Sequence, residues 1–203
     1  MDICCLDLEG VLVPEIWIQV AKKMRIHELR LTTRDEPNYD KLMRRRLRIL
    51  KERQIRLKDI QKIISTIKPL RGAVNFLKKL RLSEKYQIFI LSDTYDEFGW
   101  PLMRKLGMQV LFCNSLDVDS KNGYIRRYDL RIKDGKTKSV RALKSIRFKV
   151  HAVGDSYNDL GMLRAAHRGI LFNPPTKIRL KNLQRKHPFK VANTYSQLLK
   201  ILL

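Results

Sequence analysis

The sequence predicts an α/β protein: a doubly wound, mainly parallel sheet with an inserted helical cap. Three observations predict it. Short apolar runs suited to burial on both faces, above all "YQIFILSD", alternate with stretches of helical period. Three of those runs end in reactive polar residues. Between the first two runs lie about fifty residues of helical pattern, too many for an ordinary crossover.

The elements follow in order. "DICCLDL" is a first strand. Residues 15–68 read as several helices, with Pro14, Pro37 and Pro69 as punctuation. "AVNFLKKLRL" is an amphipathic helix and "YQIFILSD" a buried strand. "WPLMRKLG" suggests a helix closed by Gly107, followed by a strand at "QVLFC". In "VDSKNGYIRRYDLRI", Asn122-Gly123 lies between strand-like arms, a hairpin signal. "KSVRALKSI" is a helix, "KVHAVGD" a strand, "SYNDLGMLRAA" a helix and "RGILF" the last core strand. Helices alternating with buried strands imply a sheet covered on both faces. Residues 1–13 and 76–203 are therefore assigned to the core and 14–75 to a cap, which would exclude water and carry substrate selectivity.

Composition narrows the class. An apolar fraction of 44% supports a real core. No segment approaches the roughly 18 uninterrupted apolar residues of a membrane span. The start "MDICCLDLEG" lacks a basic n-region, so a cytoplasmic protein is expected. Cys4, Cys5 and Cys113 form no C-x-x-C and read as reduced, buried thiols. The 43 Lys and Arg against 20 Asp and Glu, a formal +23, would attract a polyanion. These cations are scattered through periodic segments rather than gathered in a tail, and no nucleic-acid module is visible. A solvated basic surface is expected, and a basic nucleic-acid-binding protein on this fold stands as the rival class.

In an open parallel sheet, ligands bind beyond the carboxyl ends of the strands. Here those ends carry Asp7-Leu8-Glu9-Gly10, then Ser92-Asp93-Thr94, then Gly154-Asp155 followed by Asn158 and Asp159. Any one alone reads as a helix cap; all three in this order read as a site. Side chains two apart on a strand share a face, so Asp7 and Glu9 are expected to point the same way. Converging Asp7 and Asp155 would repel one another without a cation, and hard oxygens without His or Cys favour Mg²⁺. His27, His151, His167 and His187 are scattered and read as surface or packing residues. Lys136 precedes the helix leading to the Asp155 strand and would reach the same surface. This is equipment for phosphoryl transfer, where positioning and charge neutralisation supply most of the catalysis.

The cap helix "YDKLMRRRLRIL" offers four arginines. On a wheel of roughly 100° per residue, Arg46 falls inside the arc of Leu42, Met43, Leu47, Ile49 and Leu50, with Arg44, Arg45 and Arg48 opposite. A core-facing Arg needs an anionic partner, either an internal salt bridge or a ligand. Arg53 is a rival on the same face.

The series D-x-E-G-V, S-D-T, Lys136 and G-D-x-x-N-D resembles the haloacid dehalogenase-like (HAD) phosphatases along essentially the whole chain. The similarity is nearest to the phosphoserine phosphatase branch. "CLDLEGVLVPEIW", "TTRD", "LMRRRLRIL", "ILSDT", "PLMR" and "GDSYND" further resemble its bacterial subgroup, the bifunctional phosphoserine phosphatases and homoserine phosphotransferases. Glu9 stands where most of the family has Asp, a departure which that subgroup shares. The resemblance implies Asp7 as nucleophile and Glu9 as general acid and base. It implies Mg²⁺ on Asp7, Asp155 and position 9, where a backbone carbonyl (of Leu8 or Glu9) would serve, with Asp159 in support. Ser92, the Asp93 amide and Lys136 would hold the phosphoryl group. Arg46 would take the substrate carboxylate, Glu15 its amine, and Asn158 a further substrate contact. Glu15 alone would equally suit a helix N-terminus. Phosphoserine and homoserine are the implied small-molecule partners.

Overall fold

The computed structural model describes residues 1–203 except 34 and 37. The expected punctuation at Pro37, and Arg34 within "TTRD", lie outside the described residues. Among the described residues, seven strands form one sheet: β1 (Asp2–Leu6), β2 (Tyr86–Tyr95), β3 (Leu111–Val118), β4 (Ile125–Asp129), β5 (Val150–Gly154), β6 (Arg168–Phe172) and β7 (Lys190–Ala192). Their spatial order is β4-β3-β2-β1-β5-β6-β7. Every pairing is parallel except the β3–β4 hairpin, whose turn contains Gly123 at φ +76°.

Alternation along β1 explains the two-sided core. Cys4 and Leu6 face one layer, with α1 (Ile16–Met24), α4 (Ala73–Leu82), α5 (Asp96–Leu106) and α9 (Tyr195–Leu202). Ile3 and Cys5 face the other, with α6 (Gly135–Ser145), α7 (Leu160–Ala165) and α8 (Thr176–Leu183). All three cysteines are free and buried; burial pushes the Cys5 thiol up to about 12. The helices α2 (Tyr39–Glu52) and α3 (Leu57–Thr66) complete the long segment between β1 and β2. α3 is fastened at both ends: Leu57 N–H donates to the Gly123 carbonyl at 2.9 Å, and Lys105 Nζ donates to the Ile67 carbonyl at 2.6 Å. A cation at a helix C-terminus also suits the helix dipole.

Several boundaries differ from expectation. "RGILF" is not the last strand: β7 pairs outside it, and α8 and α9 follow. α5 starts at Asp96, before the expected "WPLMRKLG", so Pro101 lies inside it. Pro101 has no N–H to give the Glu97 carbonyl one turn back; Gln61 Nε2 donates to that carbonyl instead, at 3.1 Å. α6 starts at Gly135, which puts Lys136 within its first turn rather than before it. β1 ends at Leu6, so strand alternation does not set the directions of Asp7 and Glu9.

Candidate active site

The strands with polar ends, β2, β1 and β5, are neighbours at the centre of the sheet. Adjacent strands lie about 4.8 Å apart, so their carboxyl ends meet. Asp7 follows β1 and is 3% exposed; its Oδ1 accepts from Lys136 Nζ and from the Leu8 amide, both at 2.8 Å. The same Nζ donates to Asp159 Oδ1 at 2.8 Å and lies 3.6 Å from Asp93 Oδ2. Asp159 Oδ2 accepts from the amides of Asp155 and Ser156 at 3.1 and 3.0 Å. Carboxylate oxygens of Asp7, Asp155 and Asp159 lie within 4.8 Å of one another. Two glycines permit this crowding. Gly10 turns at φ +80°, and a Cβ there would sit 2.4 Å from the Asp155 carboxyl carbon. A Cβ at Gly154 would sit 2.3 Å from Cβ of Asp159.

Lys136 lies among Asp7, Asp93 and Asp159. Burial alone would lower it, but Asp159, Asp7 and Asp93 overcome that and hold it well above its usual range. Burial pushes the Asp7 carboxyl well above the ordinary carboxylate range; Asp159 and Asp155 add to the rise and Lys136 opposes it. Three buried carboxylates converging within 4.8 Å are an all-oxygen donor set of the kind a hard divalent cation takes. The residues present therefore fit Mg²⁺.

A second cluster faces this one from the helices. Arg46 is buried at 6% exposure, while Arg44, Arg45 and Arg48 are exposed. Its rival Arg53 is exposed and pairs with Glu28 at 3.7 Å. The Arg46 guanidinium lies 4.5 Å from the centre of the Trp17 ring and donates to the Leu31 carbonyl at 2.7 Å. Its Nε is buried without a hydrogen-bond partner, and among the described residues no carboxylate forms an ion pair with it. Burial pulls it below its usual range, partly offset by Tyr39, Glu9, Tyr95 and Glu15. Glu9 feels both Arg46 and Lys136, which sets it between the clusters. Its Oε2 accepts from the Ile16 amide at 2.8 Å, at the start of α1. Burial first, then Glu15, push its carboxyl up to about 8, against the pull of Ile16, Arg46 and Lys136. Glu15 precedes α1 but makes no capping hydrogen bond; Glu9 occupies that amide.

The remaining expected residues divide. Ser92 is buried and its Oγ accepts from the Thr94 amide at 3.3 Å. Asp93 Oδ2 accepts from Asn158 Nδ2 at 3.0 Å, with Asn158 itself exposed. The Glu9 side chain is not among the three converging carboxylates. Three aromatic residues went unexpected: Trp17, Tyr39 and Tyr95. Tyr39 could have been found, because it lies seven residues before Arg46 and so on the same helical stripe.

A buried strand-end acid, a bracketing ammonium and a parallel sheet define a class, and the chain belongs to it: it is a haloacid dehalogenase-like hydrolase, with the family profile matching residues 1–167. Among its relatives, it is 52% identical over 199 residues to phosphoserine phosphatase ThrH of Pseudomonas aeruginosa, covering 98% of this chain and 93% of that protein. It is 51% identical over 201 residues to a phosphoserine phosphatase of Pseudomonas syringae pv. tomato, covering 98% and 81%. Its fold matches a crystal structure of an apo phosphoserine phosphatase with a TM-score of 0.77 at 22% identity, covering 98% of both chains.

Proposed function

We propose that the chain is a Mg²⁺-dependent phosphoserine phosphatase acting through an aspartyl phosphate on Asp7, with transfer to homoserine as a second activity. It would serve serine and threonine biosynthesis in the cytoplasm. One observation carries the reading: a strand-end acid bracketed by Lys136 faces a buried guanidinium whose Nε has no partner. A phosphate ester bearing an α-amino acid would meet both.

An Asp7 oxygen would attack phosphorus while the bond to the seryl oxygen breaks. That oxygen would leave with a proton from Glu9, a carboxyl that burial raises to about 8 and so suits to proton transfer near neutral pH. Water or homoserine then gives its proton to Glu9 and its oxygen to phosphorus, which frees Asp7. Ser92, the Asp93 amide and Lys136 would hold the phosphoryl oxygens. Mg²⁺, held by Asp7, Asp155 and a carbonyl at position 9 with Asp159 in support, would supply further positive charge there. Arg46 would take the substrate carboxylate as a bidentate fork, Glu15 its amine, and Asn158 a contact at the rim. Residues 14–75 act as the cap in this reading, over a core of residues 1–13 and 76–203. Homoserine, held by the same two groups, would compete with water beyond its concentration because attack becomes effectively intramolecular.

A phosphate-release screen over a metabolite panel, with Mg²⁺ or EDTA, tests the first half. Phosphoserine should stand out and EDTA should silence it; equal turnover of esters without an amino acid would sink the assignment. Added homoserine should lower free phosphate and yield O-phosphohomoserine by phosphorus NMR. Unchanged phosphate release would leave a plain phosphatase.

A further inference from the structure

Tyr39 begins α2, and Arg46 follows two helical turns later on the same stripe. The Tyr39 hydroxyl lies 3.3 Å from the Asp93 carbonyl and 2.6 Å from the Tyr95 hydroxyl. Each phenol has one proton to give. Tyr39 can satisfy the carbonyl only if Tyr95 donates to Tyr39, so the two hydroxyls form one directed chain ending on Asp93. Burial raises both phenols above their usual range, and they stay neutral donors. The Asp93 carboxylate in turn accepts from Asn158 and lies beside Lys136.

The rings close the circuit from the other side. Tyr95 meets Phe98 edge-on at 5.6 Å, Phe98 meets Trp17 edge-on at 5.7 Å, and Trp17 lies under Arg46 at 4.5 Å. Arg46 is thus held by its own helix through Tyr39 and by Trp17 through Phe98 and Tyr95. Both routes start from Tyr95, the last residue of β2. The Lys136 ammonium and the Arg46 guanidinium are thereby referred to one piece of backbone, residues 93–95.

We infer that Tyr39 is a positioning residue: its hydroxyl ties the Arg46 stripe of α2 to the Asp93–Tyr95 backbone and so fixes the distance between phosphoryl and carboxylate recognition. This rests on the proposed role of Arg46. It makes Tyr39 a determinant of how well the site holds an ester that carries both a phosphate and a carboxylate, as against one that carries the phosphate alone.

The test uses the full chain with Mg²⁺ and the variants Tyr39→Phe, Tyr95→Phe and the double variant. Phenylalanine keeps the rings and removes only the hydroxyls. Steady-state kinetics are read on phosphoserine and on p-nitrophenyl phosphate, which has neither amine nor carboxylate. Tyr39→Phe should raise KM for phosphoserine about 3–10-fold with kcat nearly kept, and change p-nitrophenyl phosphate little; Tyr95→Phe, which leaves the Tyr39 hydroxyl free to donate to the Asp93 carbonyl, should raise it less. The double variant should be no worse than Tyr39→Phe, which already loses both hydrogen bonds. An unchanged phosphoserine KM in Tyr39→Phe, with the unmodified protein selective for phosphoserine, overturns the positioning role alone. A loss of Tm with equal damage to both substrates overturns it in favour of packing. If the unmodified protein turns over p-nitrophenyl phosphate but not phosphoserine, the substrate reading falls and this inference falls with it.

Discussion

The two ends of the site handle charge in opposite ways. At the strand ends, Lys136 is enclosed by Asp7 and Asp159 at 2.8 Å each, and among the described residues no buried side-chain nitrogen or oxygen there lacks a hydrogen-bond partner. At the helix end, Arg46 is just as buried but keeps an Nε without one. Satisfying every group at the strand ends preorganises them before a substrate arrives, the condition for electrostatic catalysis. Leaving a buried donor unmade costs stability; in the proposed function a substrate carboxylate would supply the missing partner. On that reading the phosphoryl end would be held rigid, and the recognition end would be completed by the substrate.

That contrast can be broken by substitution, starting with the largest effect. Asp7→Asn should abolish turnover while circular dichroism stays unchanged; appreciable residual phosphate release would remove the covalent step. Glu9→Gln should slow turnover by roughly 10²–10⁴-fold. A change below about threefold would reduce Glu9 to the cap it forms on the Ile16 amide.

The same apolar replacement should act differently at the two ends. Lys136→Met leaves buried carboxylates uncompensated and should cost about 3–5 kcal/mol in a denaturant titration. Arg46→Met removes a donor that was never fully paired, and stability should move by less than about 1.5 kcal/mol. Its effect should appear instead as a roughly 10–100-fold rise in KM for phosphoserine, the value of a lost charged pair. Equal damage to esters without a carboxylate would assign Arg46 to packing. Arg53→Ala gives the baseline: it sits on the same wheel sector, but its exposed pair with Glu28 should contribute nothing measurable to KM or Tm.

Local patterns were enough to set much of this protein. The alternation of buried runs with amphipathic stretches specifies the parallel sheet, since period and length act within each segment. The strand-end motifs and the 3.6-residue stripe that buries Arg46 follow for the same reason. Only the tertiary structure decided the rest. The order that makes β2, β1 and β5 neighbours brings Asp7, Asp93 and Asp155 together across well over a hundred residues. Glu9, rather than Glu15, caps α1 because the chain leaves β1 at Leu6 and turns at Gly10. Pro101 is tolerated inside α5 because Gln61, from another helix, serves the carbonyl that lost its donor. The Tyr39–Tyr95 contact spans 56 positions. Such pairings carry no local period; they exist because packing, not sequence spacing, chooses which distant side chains meet.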